Sequence, residues 1–221
     1  MINKKLYWLS RRLRFSLLQT PRRIMRLFTI WSMPFYRIYP MSVKINAFLL
    51  SLLDLFFLFD MIEITNNLVR PHIRTLTEIE ILRGSKMFGT SLDFSLVLLD
   101  KRSAPVKRGF AYAFVTFNTI NCWKPIPADV FIHELTHVWQ YQNFGAGYIP
   151  AALWAQKSLG GYNYAHTEGW YLSTNLFDFN AEQQADLIQD AYRLQNRQSV
   201  QWANARRRTG EVSRLTNTIL T

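Results

Sequence analysis

The sequence is poor in the residues that staple small folds: among 221 residues there is one cysteine, Cys122. That excludes an internal disulfide framework and a cysteine-based zinc finger, so any metal here needs histidine or carboxylate ligands. Histidine is also scarce, with four in the chain, which confines a metal site to few positions. Glycine and proline number nine and eight, and no repeat or low-complexity tract is visible. With 49% apolar and 19% charged residues, the chain can bury one sizeable core or two small ones, and disorder throughout is excluded.

Acidic residues are absent from positions 1–44, which carry ten Lys or Arg; the rest of the chain has 16 basic and 15 acidic residues. The formal charge of +11 therefore belongs to a cationic extension on a near-neutral body, and a nucleic-acid partner is disfavoured. Within the extension Leu6, Leu9, Leu13 and Leu17 recur at helical intervals with arginines between them. An apolar stripe beside a cationic face suits an anionic membrane surface, or packing of the stripe on the chain's own body. No secretory cleavage site follows. Residues 45–64 are apolar around the whole helical circumference, so this segment is expected as one helix that is a core element, an in-plane anchor or a span. Asp54 and Asp60 oppose deep insertion, at roughly 2.5–3.5 kcal/mol for a central Asp. Residues 1–64 together are the candidate contact with lipid.

Downstream, Thr77 and Glu80 form a capping-box pair that opens a short helix. Residues 92–99 and 110–118 are β-branched or aromatic runs, expected as two antiparallel strands. A helical pattern runs from Ala128 to Asn143, a second helix opens at Pro150, and Asn180 with Gln183 caps a third that extends to about Gln198. The fold class expected is α+β, with a small antiparallel sheet, an active-site helix and a helical lobe. The divisions are 1–44 (basic extension), 45–70 (apolar helix), 71–198 (body) and 199–221 (C-terminal helix or tail).

The helix after the second strand contains His133-Glu134-Leu135-Thr136-His137. Two histidines four apart share one helical face and can grip one Zn²⁺, with Glu134 beside them as base toward a water acidified by the metal. The third helix carries Glu182-Gln183-Gln184-Ala185-Asp186, two carboxylates on one face. Glu182 can complete a His₂Glu set, and Asp186 can accept the free N–H of a ligand histidine. His166 and Glu168 are the other allocations for the third ligand, though neither brings a helical partner such as Asp186.

With these motifs, residues from about 92 to 190 resemble a gluzincin-type zinc metallopeptidase domain. The stretches FIHELTHVWQYQ and FNAEQQADLIQD resemble HExxH proteins associated with Rhs and VgrG-type secretion components and the core domain of contractile injection systems. The resemblance implies a zincin-like fold, Zn²⁺ as cofactor, hydrolysis of a peptide or protein substrate, and an edge strand near 110–118 that holds substrate extended. It also implies secretion-apparatus partners and a bacterial cytoplasmic or inner-membrane location with export through a specialised secretion system. The family's downstream oxyanion-stabilising histidine has no counterpart, because His166 is the last histidine. Tyr164 and His166, with Tyr162, are the candidates for that role. The rival reading is a secretion-associated structural or interaction module with a closed zinc site.

Overall fold

The computed structural model describes residues 2–70, 72–102, 113–166, 169–202, 205–206 and 208–216, with side chains from Tyr7 onward. Three helices, α1 (Ile2–Thr29), α2 (Met41–Leu55) and α3 (Leu58–Val69), precede strand β1 (Ile73–Thr75) and helix α4 (Glu78–Phe88). Strands β2 (Leu98–Asp100), β3 (Ala113–Thr116) and β4 (Thr119–Cys122) lead into α5 (Ala128–Phe144) and α6 (Tyr148–Lys157). Helices α7 (Ala181–Gln195) and α8 (Thr209–Thr216) complete the described chain.

The class is α+β, mostly helical, but the sheet is mixed rather than antiparallel. Its order is β1-β2-β4-β3, with β2 parallel to β4 (Leu98 opposite Thr119) and β3 antiparallel to β4 (Ala113 opposite Cys122). The expected direct pairing of 92–99 with 110–118 is thus corrected: β4, not foreseen as a strand, lies between them. Residues 94–96 form a 3₁₀ turn, so the first strand starts only at Leu98. Residues 110–112 of the second expected strand lie outside the described residues. The α7 helix ends at Gln195, three residues early, where Asn196 takes up the last carbonyls.

Helix α5 is buried nearly all round, with Ile132, Leu135 and Val138 fully enclosed. On one side it meets the sheet and α7 through Ile120, Leu187 and Ile188. On the other, Tyr141 joins Phe35, Tyr36, Val43 and Ala151 in a second apolar cluster beneath α2 and α6. Polar side chains on so enclosed a helix require partners within the protein.

The expected helix of residues 45–70 is broken. α2 and α3 meet at a 68° bend where Phe57 adopts φ +60°. In a continuous helix Asp54 and Asp60 would point about 120° apart. The bend lets both face Arg23, at 3.8 and 2.6 Å. Arg12, fully buried, pairs with Asp60 at 2.9 Å and Glu63 at 2.8 Å, and Arg26 approaches Asp54. Helix α1 therefore packs through Trp8, Arg12, Ser16, Gln19, Arg23, Arg26 and Ile30, a stripe at helical spacing, while Leu13 and Leu17 are exposed. Leu13 and Leu17 face outward while Arg12, Arg23 and Arg26 face inward, the reverse of packing by those leucines.

The Thr77–Glu80 capping box is present, and Glu80 also takes a two-pronged bond from Arg74, both arms at 2.7 Å. Burial pushes the Glu80 carboxyl up, but the bonds from Arg74 and the Thr77 N–H more than reverse this and hold it at about 2, against its usual 4.5. A depressed folded-state value stabilises above the unfolded value, and that gain is lost as pH falls from about 4.5 to about 2. Glu80→Gln should therefore flatten the acid limb of the stability curve in that window, read by urea unfolding at stepped pH.

Candidate metal centre

The α5 helix presents His133 and His137 on one face, and the N-terminal turn of α7 brings Glu182 against them. Ligand atoms from the three lie within 4.8 Å of one another, all buried. The Nε2 atoms of His133 and His137 lie 3.4 and 3.1 Å from the same carboxylate oxygen, Glu182 Oε2. Tetrahedral ligands bound at 2.0–2.1 Å stand about 3.3 Å from one another, so the donor set fits a metal ion with His₂Glu ligation.

The outward nitrogens are also engaged. His133 Nδ1–H donates to Asp186 Oδ1 at 2.8 Å, and Asp186 Oδ2 accepts from Trp202 Nε1 at 3.0 Å. His137 Nδ1–H donates to Gln140 Oε1 at 2.9 Å. The Gln140 amide is oriented in turn, since its Nε2 donates to Ala181 O and Gln184 Oε1, and Gln184 donates to Phe179 O. This directional chain keeps a proton on His137 Nδ1 and turns Nε2 toward Glu182 Oε2. Gln156 donates to the other oxygen of Glu182 at 2.8 Å, so that Oε2 alone faces the histidines.

Protein charges are balanced tightly here. Burial pulls the His133 and His137 values down, but Glu182, with Asp186 at His133, more than offsets it and raises both above the usual histidine range. Burial pushes the Glu182 carboxyl up, yet the two imidazoles hold it well below the usual carboxylate range. The pattern is one of mutual charge stabilisation between the carboxylate and the two imidazoles, a group that could hold a metal ion. Glu134 differs: burial raises its carboxyl, and among the described residues no hydrogen bond reaches it.

Glu134 and the three ligand candidates open into a cleft of about 320 Å³. One wall is the edge strand β3, from Ala113 to Thr116, and the other is α6 with Tyr148, Ile149, Ala152 and Gln156. Tyr162 closes one side, its ring centroid 6.0 Å from that of His133. Of the 110–118 run, residues 113–116 form this edge strand.

Tyr164 and His166 do not line this cleft, which corrects their assignment as oxyanion donors. The Tyr164 hydroxyl is buried and donates to Asp190 Oδ2 at 2.6 Å, fixing the loop to α7, and His166 is exposed and packs on Gly160. Glu168 lies outside the described residues. The phenols that do reach the cleft are Tyr162 and Tyr148. Burial and the neighbouring Glu182 and Glu134 raise both phenols, so each keeps its proton to donate. Tyr148, Gln140, Gln156 and Gln184 are positions at or behind this candidate site that motif reading missed. The spacing of Gln140, one turn beyond His137, was the available signal.

No protein-family description matches the chain, and no solved structure matches it. The type VI secretion system spike protein VgrG2b of Pseudomonas aeruginosa is 31% identical over 146 residues, which is 60% of this chain and 14% of that protein. The chain thus corresponds to a small part of that relative's length.

Proposed function

We propose that the chain is a secretion-system-associated zinc hydrolase of zincin type that cleaves peptide bonds. The observation that carries this reading is the opening of the His133–His137–Glu182 set, with the unpaired Glu134, into a cleft walled by a sheet edge. A purely structural metal site is closed, whereas a catalytic one keeps a position free for water and substrate. Similarity to a secretion spike protein supports the setting.

His133, His137 and Glu182 would hold the ion. Zinc supplies, when bound, Lewis acidity toward a carbonyl and toward water. Strand β3, at the edge of the sheet among the described residues, offers its outer backbone groups to an extended peptide. Glu134, shielded from bulk water, takes a proton from the attacking water and passes it to the leaving nitrogen as the C–N bond breaks. Tyr148 or Tyr162 donates a hydrogen bond to the developing oxyanion.

The test is hydrolysis of an unfolded protein by the zinc-loaded chain. Turnover should stop on chelation, return with zinc, and be absent from a Glu134→Gln preparation with full metal content. Asp186→Ala should weaken zinc binding by about 10–100-fold, read by competition with a chromophoric chelator. The second reading, a secretion-associated module stapled by zinc, is favoured by the spike relative. It predicts that chelation unfolds the chain while Glu134→Gln changes nothing.

A further inference from the structure

The helices α1–α3 have a polarity opposite to that of a water-facing layer. Asp54, Asp60 and Glu63 are the only acids before Glu78, and all three are buried against Arg12, Arg23 and Arg26. The fully exposed positions of α2 and α3 carry no charge, and the half-buried Lys44 is the cation on α2. At the bend Leu52, Leu53, Phe56, Leu58 and Met61 are exposed, Phe56 at 72%. Helix α1 adds outward Leu17, Leu18 and Phe28, interspersed with exposed Arg14 and Arg22. Large apolar side chains exposed in this number along neighbouring helices are what a binding face presents.

Two observations identify what it meets. The outward charges from Tyr7 to Val69 are exclusively positive, which complements an anionic headgroup layer. Among the described residues no single helix is long and apolar enough to cross a membrane, but α2 and α3 together suffice by length and composition, bent by 68°. A bent pair of that kind fits the plane of the interface, with apolar side chains sunk at the headgroup–acyl boundary. We propose that the α2–α3 elbow docks in the plane of an anionic phospholipid bilayer, with Phe56 and Leu53 inserted and Arg14 and Arg22 at the headgroups. Because α2 packs on α6, docking would hold the cleft near the membrane surface.

The experiment is flotation of the full chain with phosphatidylcholine vesicles, with and without admixed phosphatidylglycerol to supply a negative surface potential, alongside gel filtration. The wild type should float with the anionic vesicles at least tenfold more than with neutral ones. Leu53→Glu/Phe56→Glu should lose at least tenfold in bound fraction while keeping its circular dichroism. The positions are exposed, so folding should survive; if it does not, Arg14→Glu/Arg22→Glu gives the same reading through the headgroup contact. Absence of flotation with either vesicle, or equal flotation with both, overturns the proposal. So does a wild-type dimer in gel filtration that Leu53→Glu/Phe56→Glu converts to monomer, which would assign the face to a second copy of the chain.

Discussion

Arg12→Ala should destabilise the protein by about 3–5 kcal/mol, because it removes the buried charge partner of Glu63 and one of the two of Asp60. The Arg12 guanidinium is fully buried, bonded to Asp60 and Glu63, and its removal leaves Glu63 with only Asn118 and Thr119 as hydrogen-bond partners. Asp60 would keep Arg23 and the Ser16 hydroxyl, so the loss concentrates on the α1–α3 contact and on the β3–β4 turn that Glu63 holds. For a chain of this length the change corresponds to a fall in Tm of roughly 6–20 °C, read by thermal unfolding. Exposed Arg14→Ala should shift Tm by a small fraction of that, since surface charges contribute little. Equal effects from the two would contradict the buried network.

Glu134→Gln should lower kcat by about 10²–10⁴-fold at unchanged zinc content. The substitution preserves shape and removes only the capacity to take a proton. Glu134 is buried and unpaired among the described residues, so no fold contact is sacrificed and stability should hold or rise slightly. A burial-raised carboxyl also gives a sign for pH: activity should grow as pH rises through the Glu134 value, which sits above the usual carboxylate range. A preparation that folds, binds zinc and retains full turnover as Glu134→Gln would remove this carboxylate from the mechanism.

The candidate metal-binding face is readable from the chain because helical period alone decides it. Residues four apart on one helix must share a face, so His133 with His137 and Glu182 with Asp186 come out of the spacing. The residues that orient them do not. Gln140 acquires its role from Ala181 and Gln184, more than 40 residues away, and no local pattern carries that information. The N-terminal helix shows the converse problem. Its leucine stripe suggests which side packs only if the surroundings are water. Here Arg12, Arg23 and Arg26 find acids on α2 and α3, and the polar stripe goes inside. Strand pairing is hidden for another reason: alternation gives a strand its faces but not its neighbour, so the parallel β2–β4 pairing could not be inferred from residues 92–99 and 110–118.

The central claim, that His133, His137 and Glu182 bind one zinc ion, is tested most directly by elemental analysis of the purified chain. Wild type would be measured beside His137→Ala and Glu182→Ala, each after zinc loading and desalting. Near-stoichiometric zinc in the wild type, lost in both variants while circular dichroism still reports a folded chain, is the predicted result. A folded wild type that retains no metal after loading would contradict it.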